Sequence, residues 1–177
     1  MSDSMKTQND TQPLITEILQ LLSAVADKFE PGENEMREWM LKNFPSPQIV
    51  EILQEATPVM LRVVDAIGQL EPVNGITIAA QHHIPKGTVS KITRKLIAQN
   101  LITSESLPNN KKEILFRLTP LGSELFHAHR AFDQQMERGF YAFMTRYTPD
   151  EMRFIARVLQ DVLDTSFLTL GQSAKVE

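Results

Sequence analysis

The stretch Pro85-Lys86-Gly87-Thr88-Val89-Ser90-Lys91-Ile92-Thr93-Arg94-Lys95-Leu96-Ile97-Ala98-Gln99 decides how the chain is read. At about 100° per helical residue, Val89, Ile92 and Leu96 share one narrow arc and can face a core. Gly87, Ser90, Lys91 and Arg94 fall on the opposite arc, Thr88 and Lys95 stand at its shoulder, and the helix contains no acidic residue. Donors to phosphates and base edges therefore project together, and Gly87 lets the backbone approach a partner closely. In isolation such a helix more often presents an ordinary solvated face. Its neighbours must decide.

Upstream, Asn74 can cap a short helix over 76–82, and a tight turn follows it. Downstream, Asn100 is suited to a left-handed helix stop. Residues 102–106 and 113–118 bracket the polar Pro108-Asn109-Asn110-Lys111, with Ile114, Phe116 and Leu118 alternating with Leu115 and Arg117, which predicts a β-hairpin. A short helix, a turn, a basic helix and a basic-tipped hairpin make a winged helix-turn-helix, whose second helix reads the major groove. The candidate DNA-binding residues on that helix are Lys86, Gly87, Thr88, Ser90, Lys91, Arg94 and Lys95. On the wing they are Asn110, Lys111 and Lys112, placed to reach an adjacent phosphate or minor groove.

Charge agrees once the chain is divided. The net charge of −4 hides a central block, residues 74–117, with seven Lys and Arg against two Asp and Glu. Residues 1–73 carry five against twelve, and residues 118–177 six against eight. A basic block between acidic flanks is an electrostatic footprint for a polyanion.

The flanks read as helices, so the predicted class is mainly α with a small β-hairpin wing. Residues 1–12 are polar and expected to be a disordered tail. Leu14, Ile18, Leu21, Leu22, Val25 and Phe29 recur at helical spacing, and Met36, Trp39, Met40 and Phe44 follow. Ser46-Pro47, Thr57-Pro58, Thr119-Pro120 and Thr148-Pro149 are repeated helix starts, since the hydroxyl can cap and Pro lacks the N–H that would go unpaired. Residues 148–151 also read as a capping box. Leu121, Leu125, Phe132, Met136, Phe140 and Phe143 form a long stripe, and Met152, Ile155, Leu159, Val162 and Leu163 another. These stripes exceed what one small core can cover, so a homodimer is expected. The expected organisation is N-terminal dimerisation or support helices over 13–56, a winged helix-turn-helix over 57–119, and C-terminal dimerisation helices over 120–177.

Over about residues 57–122 the chain resembles the MarR (multiple antibiotic resistance regulator) family. Ile78-Ala79 falls where that family has Leu-Ala, and Thr88-Val89-Ser90-Lys91 where it has Ser/Thr-Val-Ser/Thr-Arg. Leu96 through Asn100-Leu101-Ile102 is similar to its Leu followed by Gly-Leu-Val, and Leu118-Thr119-Pro120-Leu121-Gly122 to its Leu-Thr-x-x-Gly. The departures are Asn109-Asn110-Lys111-Lys112 in place of a wing Asp-x-Arg, His83 for a turn glycine and His82 for a core leucine. The resemblance implies a transcription regulator, a repressor in the simplest case, bound as a dimer to an inverted repeat of double-stranded DNA.

The other readings are weaker. A metal sensor would use the four histidines, but His127 and His129 lie about 200° apart on a helix, whereas ligands at i and i+4 share a face. His129 is expected to be a hydrogen-bonded side chain at the dimer seam, and His82 and His83 to pack in a turn. No metal or cofactor is expected. Trp39, Met36, Met40 and Phe44 could line a pocket for a small aromatic or phenolic effector, the alternative being core. The absence of cysteine removes thiol redox sensing. No enzyme motif occurs. No apolar run suits a membrane span and no secretion signal is legible, so a cytoplasmic protein is expected. The rival of a different class is a winged-helix adapter that binds protein rather than DNA.

Overall fold

A computed structural model of the chain describes residues 2–29, 33–107 and 110–167, with side chains described over 11–28, 35–106 and 113–167. In order the elements are α1 (Ser2–Phe29), α2 (Glu33–Asn43), α3 (Pro47–Glu55), α4 (Pro58–Leu70), β1 (Val73–Asn74), α5 (Gly75–Gln81), α6 (Lys86–Ala98), β2 (Ile102–Leu107), β3 (Asn110–Leu118), α7 (Pro120–Met144) and α8 (Pro149–Asp164). The expected class holds, with one addition. The wing is a three-stranded antiparallel sheet in the order β1-β3-β2, not a two-stranded hairpin. Val73 pairs with Phe116 and Asn74 with Leu115, while Ile102 pairs with Leu118 and Ser104 with Phe116.

Two compact units divide inside α7, Met1–Phe132 and Asp133–Glu177. Burial changes at the same place. The first half of α7 buries Gly122, Leu125, Ala128, His129 and Phe132, whereas its second half buries nothing. The core of the first unit is built from Met40, Ile49, Leu53, Leu61, Ile67, Ile78, Leu96 and Leu125, all but inaccessible to solvent. Trp39 meets Phe132 edge-on, with ring centroids 5.6 Å apart, and Met36 and Met40 are buried beside it. Met36 and Met40 thus belong to the core, with Trp39 and Phe44 partly buried against it.

The Ser/Thr-Pro starts behave as helix starts, though not identically. Thr57 Oγ1 accepts from Met60 N at 3.3 Å, Thr119 Oγ1 from Gly122 N at 3.0 Å and Thr148 Oγ1 from Glu151 N at 3.3 Å. Ser46 makes no side-chain cap, although Pro47 still opens α3. The Thr148 box is complete, because Thr148 N donates to Glu151 Oε2 at 2.8 Å. Those bonds hold the Glu151 carboxyl below its usual pKa, the backbone N–H of Thr148 contributing most.

The N-terminus is a correction. α1 begins at Ser2 and contains Pro13, instead of starting near Pro13 after a disordered tail. No Pro or Gly interrupts residues 2–12, and a polar composition is compatible with an exposed helix. Both α1 and α8 are amphipathic, and their apolar faces are open: Leu14, Ile18, Leu19, Leu21, Phe154, Leu159 and Leu163 are all exposed. No residue of α8 is buried.

Candidate nucleic-acid interface

The short helix and its turn are set by a few specific bonds. Asn74 Oδ1 accepts from Thr77 N at 2.8 Å and caps α5, while Arg62 Nη2 donates to His82 O at 2.8 Å and satisfies a carbonyl at its far end. His83 adopts φ 52°, the left-handed turn conformation expected of it, and Ile84 drops into the core. α6 then starts after Pro85, whose carbonyl accepts from Thr88 N and Val89 N. At its end Asn100 takes φ 54°, with Asn100 N donating to Ile97 O and Leu101 N to Leu96 O. This pair of bonds is a Schellman stop, completed by the buried Leu96 and Leu101. Both ends of the basic helix are therefore fixed by sequence-local chemistry.

Its faces separate as the wheel predicts. Val89 and Leu96 are buried and Ile92 is half-buried, with Thr93 added to the inner face, where its Oγ1 donates to Ser90 O at 3.3 Å. Lys86, Gly87, Ser90, Lys91 and Arg94 are exposed and Thr88 is half-buried. Arg94 Nε donates to Ser90 O at 3.1 Å, which orients the guanidinium against the helix. A Cβ added at Gly87 would meet no atom within 4 Å, so nothing inside the protein demands glycine there.

Lys95 has a partner within the protein. Its Nζ lies 3.2 Å from Glu55 Oε2 and donates to Glu55 O, also at 3.2 Å, tying it to the end of α3. Gln99 Nε2 reaches the same carboxylate at 3.4 Å. On the wing, Asn110, Lys111 and Lys112 belong to the backbone of β3, and their side chains lie outside the described residues. The base of the wing carries an ion pair that sequence reasoning did not assign, Arg117 Nε to Glu105 Oε1 at 3.2 Å across β2 and β3.

Between α5, α6 and the sheet runs a groove of about 710 Å³, with Val89, Ile114 and Phe116 among its apolar lining and Lys86, Arg94 and Glu113 among its charged lining. Glu113 was not singled out from sequence. Asn74 Nδ2 donates to its Oε1 at 2.6 Å. β1, which brings the two together, is too short for any periodicity to announce it.

The histidines separate as expected for opposite helix faces: His127 is exposed and His129 buried. His129 is largely covered within one protomer, with an imidazole nitrogen within 4.8 Å of an Asp65 carboxylate oxygen on α4. No helix among the described residues is long and apolar enough to cross a membrane.

Comparison with known proteins agrees with this architecture. The model of the MarR family matches residues 56–114. The uncharacterized HTH-type transcriptional regulator YhjH of Bacillus subtilis (strain 168) is 32% identical over 137 residues, covering 74% of this chain and 78% of its own length. Among solved structures, the zinc-responsive MarR family member ZitR of Lactococcus lactis matches with a TM-score of 0.67 at 22% identity, over 85% of this chain and 97% of that one. FabT of Streptococcus pneumoniae, solved in complex with DNA, matches with a TM-score of 0.61 at 14% identity, over 84% and 94%. The two structures share the fold, and the sequence relationship carries the family. The chain belongs to the MarR family, whose members are winged helix-turn-helix transcription regulators rather than enzymes.

Proposed function

We propose that this chain is a sequence-specific regulator of transcription that binds double-stranded DNA as a homodimer, acting as a repressor on an inverted-repeat operator in the cytoplasm. One observation carries the reading: α6 buries Val89, Thr93 and Leu96 and turns Lys86, Gly87, Ser90, Lys91 and Arg94 outward, on a helix without an acid. Such a helix suits the major groove, with Arg94 and Lys91 reading bases and the other groups holding phosphates. The space around Gly87 favours close approach to a duplex.

Dimerisation rests on the open apolar faces of α1 and α8. A monomer seldom leaves such continuous stripes in water, and a second copy is the simplest cover. A twofold dimer places its two recognition helices on half-sites about 10 base pairs, one helical turn, apart. Release by a small aromatic or phenolic effector would work by favouring one spacing of those helices, because equal affinity for both shifts nothing. The test is binding of purified protein to random-sequence duplex DNA across a salt series, followed by selection of a preferred site. Salt-sensitive binding and a palindromic selected site support the reading, whereas salt-insensitive or absent binding favours the protein adapter.

A further inference from the structure

We infer that Asn74 and Glu113 form a strut that sets the angle of the wing against the helix-turn-helix, making both of them positioning residues for DNA binding. The inference rests on the DNA-binding reading above for its consequence but not for its geometry. Asn74 uses both ends of one amide. Its Oδ1 accepts from Thr77 N at 2.8 Å, capping α5, and its Nδ2 donates to Glu113 Oε1 at 2.6 Å, on β3. Asn74 pairs with Leu115 in the sheet, and Glu113 lies two residues along the same strand, hence on the same face as Leu115 and diagonal to Asn74.

The residue type is what this double duty requires. Asp, Ser and Thr can each cap a helix, but only Asn among the strong capping residues combines a carbonyl acceptor with an amide donor. The bond to Glu113 is charge-assisted, the stronger kind. Position matters as well. β1 pairs with β3 over only Val73 and Asn74, so the backbone alone gives a short grip between the helix-turn-helix and the wing. Glu113 lies beyond that grip, toward the tip of the arm. A bond there resists bending of the arm away from α5 more effectively than one at the Val73 end. Both residues line the groove whose other wall is α6, so the strut holds the separation between recognition helix and wing. That separation determines which phosphate the wing reaches while α6 sits in the major groove.

The decisive variants separate cap from strut. Asn74→Ser keeps a good capping oxygen but is too short to reach Glu113, Glu113→Ala removes the acceptor, and Glu113→Gln retains an acceptor oxygen. Because the chain has no cysteine, Gln81→Cys with Ser106→Cys can be spin-labelled on the full-length protein without background. Both positions are exposed, on α5 and on β2. Without DNA, the distance distribution is expected to broaden in the Asn74→Ser and Glu113→Ala backgrounds and to stay narrow in Glu113→Gln, with thermal unfolding verifying that each variant is folded. With random-sequence duplex DNA, the two broadened variants should bind about three- to tenfold more weakly than the parent, as expected for losing one hydrogen bond. An unchanged distribution in Asn74→Ser, or equal broadening in Glu113→Gln and Glu113→Ala, overturns the strut. If the distances respond as expected but the parent itself binds no DNA, the strut stands and the DNA-binding reading fails.

Discussion

Lys95 of the basic helix is held by Glu55 at the end of α3, ammonium to carboxylate at 3.2 Å, and the same ammonium donates to the Glu55 backbone carbonyl. A cation that the helical wheel assigns to the shoulder of the DNA face is thus engaged within the protein. Both side chains remain substantially exposed, so the pair contributes little to stability. Its consequence is electrostatic. Glu55→Ala is expected to release Lys95 toward DNA, tightening binding to random duplex and steepening the salt slope by about one unit. Lys95→Ala should leave the parent slope unchanged. A salt titration of the two variants checks both statements.

Thr119 and Gly122 form a tight junction between α6 and α7. Thr119 Oγ1 donates to Asn100 O at 2.7 Å and accepts from Gly122 N, joining the end of α6 to the start of α7. A Cβ on Gly122 would lie 1.9 Å from Leu101 O, a backbone atom with little freedom to withdraw. Gly122→Ala should therefore destabilise by more than the about 1–3 kcal/mol of ordinary overpacking. Thr119→Ala, which removes the cap from the buried Gly122 N–H, should cost about 1–3 kcal/mol. Denaturant unfolding measures both.

Acid should loosen the start of α8. Glu151 is held below its usual pKa by the Thr148 N–H, so its unfolded form binds protons more readily than its folded form. The contribution is complete above the ordinary value of 4.5 and is lost as pH falls through the lowered folded value. Hydrogen exchange at the first turn of α8 should accelerate relative to the core over that acidic window in the parent. In Glu151→Gln the pH-dependent part should vanish.

Self-association should depend on the open faces. Leu19 and Leu159 are 63% and 49% exposed, too accessible to matter for the fold of one protomer. Leu19→Glu and Leu159→Glu are expected to leave the thermal signature of the winged unit intact while shifting sedimentation from dimer toward monomer. A monomeric parent at micromolar concentration would remove the twofold operator from the proposal.

The parts of the fold legible in sequence are those where short-range chemistry is strong. Asn100 and His83 take the left-handed conformations expected of them, the Thr-Pro starts cap their helices, and the two faces of α6 separate as spaced. What could not be read depends on distant partners or on very short elements. β1 has two residues and no period, Glu55 lies 40 positions before Lys95, and Glu113 is one acid in a basic block until Asn74 comes alongside. His129 sits on an apolar stripe, and only the fold brings Asp65 of α4 within 4.8 Å of it. The helical start at Ser2 escaped because polar residues without breakers suit a tail or an exposed helix equally.

The exposed face of α6 as the reader of DNA is tested most directly by selecting a preferred site with the parent and then measuring Arg94→Ala and Lys91→Ala on that site and on random duplex. Loss of a base contact should cost about 1–3 kcal/mol on the selected site and relax its sequence preference, with a smaller effect on random DNA. Variants that bind the selected site as tightly and as selectively as the parent would contradict the assignment of that face.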